Sequence, residues 1–268
     1  MPEIRTAAPI KLSVSGVGKT FHRRDGSLAV LEDISFEVRA GEFFVIVGPS
    51  GCGKTTFLRI VQGLDRPSTG TILLSDKPLT GPGPDRGFVF QHDSLFPWRT
   101  VLQNVTFGPE LKRKPRSEFE PYARDIISLV GLKGFEGHYP HELSGGMRQR
   151  VNLARAFAVD PDILLMDEPF ASLDALTREA MQQELIRIVA ETGKTVLFIT
   201  HQIDEAVLLA DRIAVLSARP GRLMRTIDVD LPHPRSLGIK RTPRFQGFVE
   251  EVWNLIAESH GLEQDMQN

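Results

Sequence analysis

The sequence predicts an α/β fold with a mainly parallel sheet, an N-terminal antiparallel β layer and a helical insertion. Short apolar runs at 43–47, 162–166, 195–200 and 213–216 have the length of strands buried on both faces. The first three are each followed by a segment of helical character, at 55–62, 175–190 and 204–210, which is the alternation of a parallel sheet. The N-terminal third differs. Strand-like stretches at 11–21, 31–38 and 71–74 are punctuated by the turn formers Arg24-Asp25-Gly26 and Gly81-Pro82-Gly83-Pro84.

Composition bounds the rest. A chain of 268 residues with 41% hydrophobic content supports one full-size core, or one core plus a small appendage. With 25% charged residues and a formal net charge of -2, there is no sign of disorder, a polybasic membrane tail or a nucleic-acid footprint. Cys52 is the single cysteine, so no intrachain disulfide forms, which fits a reducing compartment. Glu3, Arg5, Lys11 and Lys19 interrupt the first twenty residues, arguing against a secretory signal. No apolar run approaches the ~20 residues that span a bilayer, so a membrane role has to come through a partner.

Between Trp98 and Leu143 the pattern turns helical, with Phe119, Tyr122, Ile126, Leu129 and Val130 expected on one face. After the Pro-punctuated stretch 231–234, a helix is expected over 244–257, with Phe245, Phe248, Val249, Val252 and Ile256 at helical spacing. It is expected to dock on its own domain; a regulatory or dimer contact is the alternative.

Chemistry enters with Gly48-Pro49-Ser50-Gly51-Cys52-Gly53-Lys54-Thr55, followed by Thr56. This fits the P-loop pattern, directly after an apolar strand and directly before a helix. Glycines let the backbone curl with its N–H groups inward, and the helix start adds partial positive charge for phosphate. Lys54 has the reach for terminal phosphates, and the Thr55 hydroxyl suits Mg2+. The nearby Gly16-Val17-Gly18-Lys19-Thr20 mimics the end of such a loop, but Ser13 stands where the leading glycine belongs, and it reads as a β-turn region.

The run Ile163-Leu164-Leu165-Met166 ends in Asp167-Glu168. Ligands of parallel sheets sit at the carboxyl ends of strands, so Asp167 is expected to face the metal at the P-loop. Glu168 is expected near the terminal phosphate, orienting and polarising the attacking water.

One further element separates the many P-loop proteins. Leu143-Ser144-Gly145-Gly146-Met147-Arg148-Gln149-Arg150 closely resembles the signature of ABC ATPases, upstream of the acidic strand as in that family. The resemblance covers about residues 10 to 230. It implies a P-loop NTPase core of the ABC ATPase type over 1–231, with a helical insertion at about 92–158 and a helical tail at 232–268. It also implies hydrolysis of ATP with Mg2+, in a site completed by a second copy of the chain. Ser144, Gly145 and Gly146 would contact the terminal phosphate in trans. Gln91 resembles the glutamine that senses Mg2+, and Ser172-Leu173-Asp174 the segment that crosses the dimer interface. His201 resembles the histidine that contacts the terminal phosphate, beside the catalytic Glu168 and Lys54. Phe21 resembles the aromatic that stacks on adenine. Met147 and Gln202 depart from the residues frequent in the family, glutamine and aspartate. Cys52 lies inside the loop, so a bulky thiol reagent is expected to inhibit and ATP to protect.

Several local phrases look like the nitrate/sulfonate/taurine importer ATPases: 95–101, 168–175, 204–212 and Ser217-Ala218-Arg219-Pro220-Gly221-Arg222. Such subunits work with a transmembrane permease and, indirectly, an extracytoplasmic solute-binding protein, at the cytoplasmic face of the inner membrane. Leu95, Phe96 and Trp98 are expected to anchor the permease in a groove formed by 91–107. The alternative is a soluble ABC ATPase of translation or DNA repair. Against it, the chain has one set of motifs and no heptad run.

Overall fold

A computed structural model describes residues 8–23, 26–91, 94–112 and 115–259. Strands β1 (Ile10–Arg23) and β2 (Gly26–Arg39) lead to β3 (Phe43–Val47), α1 (Lys54–Gln62), β4 (Thr69–Leu74), the short β5 (Lys77–Pro78) and β6 (Arg86–Val89). The helices α2 (Val101–Leu111), α3 (Arg116–Leu129) and α4 (Gly145–Ala158) follow. Then come β7 (Ile163–Asp167), α5 (Ala175–Thr192), β8 (Thr195–Thr200), α6 (Ile203–Leu209), β9 (Arg212–Leu216), β10 (Leu223–Asp228) and α7 (Pro243–Ser259).

The strands form two sheets. One has the order β10-β9-β3-β8-β7-β6 and is parallel except for β10, which pairs antiparallel at one edge. The other, β2-β1-β4-β5, is antiparallel throughout. Strand β3 shows why its sequence is an unbroken apolar run. Phe43, Val45 and Val47 enter the core shared with α2 to α7, while Phe44 and Ile46 enter the core shared with β1, β2 and α1. In the second core Phe36 of β2 stacks on Phe44 of β3 at 4.8 Å and meets Phe57 of α1 at 5.5 Å. Each such buried ring contributes about 1.5–3 kcal/mol. Together they fix the strand and helix that bracket the P-loop.

Several expectations need correction. Residues 16–20 form no separate turn: β1 runs straight through them with register shifts, and Gly16 takes φ 60. A bulge absorbs the extra residue where a turn was expected. On α3 the buried stripe is Phe119, Ala123, Ile126 and Ile127, whereas Tyr122 stays 38% exposed. Strand β10 gave no apolar run to read, because only Ile227 of its six residues is buried. Helix α7 buries Phe245, Val252, Leu255 and Ala257, and packs on α6 and β9. Arg24 and Asp25, read as a turn, lie outside the described residues.

Candidate nucleotide site

The parallel strands bring the predicted site residues to one edge of the sheet. Register pairs Val47 with Thr200, Asp167 with Ile199 and Val89 with Met166, so the carboxyl ends of β3, β8, β7 and β6 lie level. The P-loop, His201, the two carboxylates and Gln91 thus follow strand ends on the same edge of the sheet, where ligands of parallel sheets bind.

The loop is built to leave backbone donors free. Gly53 precedes α1 at φ 107 and provides no side-chain cap, so the first N–H groups of the helix lack that partner. A Cβ at Gly53 would stand 2.7 Å from Leu31 Cδ2, so the close approach to β2 also requires glycine. Lys54 is 6% exposed, and its Nζ donates to Gly48 O at 2.7 Å and Pro49 O at 2.9 Å. Carbonyls satisfy the donors of a buried amine without neutralising it, which suits an anionic ligand. Pro49 is half-buried, Ser50 and Gly51 are exposed, and Thr56 is half-buried on the first turn of α1.

Cys52 overturns one expectation. Its thiol is 1% exposed and belongs to the core beneath the loop. Burial pushes the thiol pKa up, against the pull of nearby Lys54. Only its backbone, whose N–H donates to Pro49 O at 3.3 Å, faces the loop. The sequence shows where a residue lies in the loop but not which way its side chain points.

The carboxylates sit opposite. Thr55 Oγ1 donates to Asp167 Oδ1 at 3.2 Å. Burial raises the Asp167 pKa and Glu168 raises it further, while Thr55 and Lys54 oppose the shift. A hydroxyl and a destabilised carboxylate side by side fit Mg2+, which would relieve that charge. Among the described residues no group of three or more His, Cys, Asp or Glu is placed to hold a metal ion. Glu168 adopts φ 45, an unfavourable region for a residue with a Cβ. Its backbone is held there by Glu168 N–H to Ile199 O at 2.9 Å and Ala171 N–H to Glu168 O at 3.1 Å. That turn brings Glu168 Oε2 to 2.8 Å from His201 Nδ1.

Two partners escaped the sequence reading. Arg178 of α5 donates to Phe170 O at 3.3 Å, Leu173 O at 2.7 Å and Gln202 Oε1 at 3.2 Å. It joins the segment after Glu168 to the turn after His201, and gives the unusual Gln202 a partner. Glu205 is 3% exposed, receives Gln182 Nε2 at 3.0 Å, and has its pKa raised by burial. Arg178 belongs to no contiguous motif, and Glu205, though inside the phrase 204–212, carries no sequence mark of its burial.

Ser144 lies elsewhere in the fold. It caps α4, its Oγ accepting the Met147 N–H at 3.3 Å. Helix α4 packs on α2, α3, α5 and β6. Ser144 and Gly145 are exposed, and Gly146 packs closely on Thr177, where a Cβ would come within 2.8 Å of Cγ2. Among the described residues no hydrogen bond joins 144–146 to the P-loop. Phe21 in β1 is 38% exposed, with Lys19 Nζ 4.9 Å from its ring centroid, and Gln91 is exposed just beyond β6. Of the expected docking residues, Leu95 is buried in the core, whereas Phe96 lines an open cavity of about 570 Å³ with Phe90, Phe107 and Leu111. Trp98 is 71% exposed and lies 5.6 Å from Phe96.

Comparison with known proteins bears on the family and the fold. Residues 31–171 match the family described as ABC transporter. A nitrate import ATP-binding protein of Synechocystis sp. is 45% identical over 251 residues, covering 91% of this chain and 94% of that protein. A taurine import ATP-binding protein of Burkholderia thailandensis is 47% identical over 240 residues, covering 88% and 92%. Among solved structures, a dimeric ATP-binding cassette in a post-hydrolysis state bound to ADP and Pi superposes with a TM-score of 0.71 at 32% identity, covering 82% of this chain and 100% of that one.

Proposed function

The chain belongs to the ABC transporter family of ATP-hydrolysing subunits, and from that premise we propose that two copies sandwich ATP to drive import of a small anionic solute. Nitrate, a sulfonate and taurine are the solutes in view. The ATPase unit is proposed to span 1–231 and the tail 232–268. The observation that carries the catalytic reading is the Glu168–His201 contact of 2.8 Å beside the Thr55–Asp167 pair.

The backbone N–H groups of Gly48 and of residues 50–56, with the Lys54 ammonium, bind the phosphates, while Phe21 offers its exposed ring to the base. Mg2+, held by Thr55, Asp167 and Gln91, would neutralise charge on the phosphates. Glu168 orients the attacking water and accepts its proton at a carboxylate oxygen; His201 holds that carboxylate and reaches toward the terminal phosphate. Ser144, Gly145 and Gly146 supply the second wall from the partner copy. A hydrogen bond to a charged group contributes about 1.5–3 kcal/mol, so losing the terminal phosphate removes enough to open a weak protein-only interface. The permease is proposed to seat on Phe90, Phe96 and Phe107, with Trp98 at the rim. Through it the chain would sit at the cytoplasmic face of the membrane, a reading supported by its importer ATP-binding relatives; no helix among the described residues is long and apolar enough to cross a membrane. An extracytoplasmic solute-binding protein would deliver the solute.

The test has two arms. Purified chain should hydrolyse ATP only with Mg2+, and Glu168→Gln should cut turnover by about 10²-fold or more while ATP still binds. Chain isolated from its own cells should bring an integral membrane protein with it. Wild-type turnover in the variant removes Glu168 from catalysis; a chain that copurifies with no membrane protein removes the importer reading.

A further inference from the structure

The segment 217–222 has no role in the chemistry above, yet it packs against the outside of the P-loop. It forms a closed strap: Ser217 N–H donates to Arg222 O at 2.9 Å, and Arg222 N–H to Ser217 Oγ at 3.0 Å. Gly221 joins the strap to β2, donating to Val30 O at 2.9 Å and accepting from Glu32 N–H at 3.0 Å. Arg222 Nη2 closes the same junction on Glu32 Oε2 at 2.8 Å. A Cβ at Gly221 would stand 2.3 Å from Cys52 O, so the strap lies directly on the backbone of the loop.

From this strap Arg219 reaches the apex. Its Nε and Nη2 both donate to Gly51 O, at 3.2 and 2.9 Å. In a trans peptide the carbonyl and the following N–H point in opposite directions. A guanidinium that draws Gly51 O outward therefore turns the Cys52 N–H inward. That N–H does face into the curl, toward Pro49 O at 3.3 Å, a long bond that a phosphate oxygen can replace.

We propose that Arg219 is a positioning residue of the nucleotide site, holding the Gly51–Cys52 peptide so that its N–H is presented to the phosphates before they arrive. The inference rests on the reading that this loop binds a nucleoside triphosphate. The strap at 217–222 thereby preorganises the cradle, which strengthens binding without taking part in the chemical step. An interaction equal in ground and transition states shifts KM and leaves kcat.

The test is equilibrium titration of the full chain with a fluorescent ATP analogue in Mg2+, together with steady-state ATPase assays. Arg219→Met, which keeps length but has no donor, should weaken nucleotide binding and raise KM by about tenfold, with kcat within about twofold. Arg219→Lys, which keeps one donor, should recover most of the affinity. Thermal melting without nucleotide checks that each variant is folded. Lys54→Ala separates the two claims. If it too binds nucleotide as wild type does, the site reading itself fails. If Lys54→Ala loses binding while Arg219→Met keeps it, only the role of Arg219 is overturned. A fall in kcat with KM unchanged also overturns it.

Discussion

The P-loop and the start of α4 are both glycine-rich helix entrances, yet they are finished to different degrees. At the P-loop, Lys54 is buried, Gly53 is wedged against Leu31, Arg219 grips Gly51, and Thr55 already touches Asp167. At α4, Ser144 and Gly145 stand exposed, at the start of a helix that packs on α2, α3, α5 and β6. One entrance is a complete half-site, with carboxylates opposite its donors. At the other, no carboxylate among the described residues is hydrogen-bonded to residues 144–146. A phosphate held between two such entrances needs both, and the fold sets them on different elements of one chain. If two copies sandwich the nucleotide as proposed, the unit of function is larger than the unit of folding.

That contrast can be broken from either side. The largest effect should come from Gly145→Asp. An acid in the first turn of a helix favours the helix itself, and the nearest atom to a Cβ there is 3.9 Å away, so folding should be preserved. A carboxylate aimed at the partner's terminal phosphate should nonetheless cut ATPase turnover by about 10²-fold or more. Nucleotide affinity of the isolated chain should stay within about twofold, because its own P-loop is intact. Weakened binding by the single chain would mean that α4 contributes in cis.

Asp167→Asn probes the finished half. Burial and Glu168 raise the Asp167 pKa in the folded chain, so the native state holds the proton more tightly than the unfolded state. The ionised carboxylate therefore costs stability as pH rises through the folded pKa. The nucleotide-free variant should melt higher than the parent at neutral pH, and the gain should fade as pH falls below the ordinary aspartate range. ATPase activity should drop at every pH. A variant that melts lower than the parent at neutral pH would place the strain elsewhere.

The smallest effect concerns Cys52. A bulky maleimide should label the folded chain slowly and with little dependence on ATP, then rapidly in denaturant, because the thiol is enclosed and its pKa raised. Fast labelling of the native chain, blocked by ATP, would put the thiol on the phosphate side.

How much of this was legible in sequence follows from range. The phosphate cradle and the acidic strand end were readable because each is contiguous, and an apolar strand announces where it stands. The register-shifted part of β1 was not, since glycine-containing bulges and turns share a composition. Arg219 acts on a carbonyl far away in the chain, Arg178 joins Phe170 and Leu173 to the more distant Gln202, and the orientation of Cys52 depends on which face of the loop meets the core. Leu95 looked like a docking residue because an apolar side chain carries no mark of its direction. Contiguous chemistry is written locally; the groups that hold it in place are contributed by the fold.

The central claim is that ATP joins two copies, each closing the other's site. The mass of Glu168→Gln in solution, measured by light scattering with Mg2+ and ATP, tests it most directly. The account predicts two chains per particle with ATP, one chain with ADP, and one chain with ATP once Gly145→Asp is added. A particle that binds ATP and remains a single chain, or a pair that forms regardless of Gly145→Asp, would contradict it.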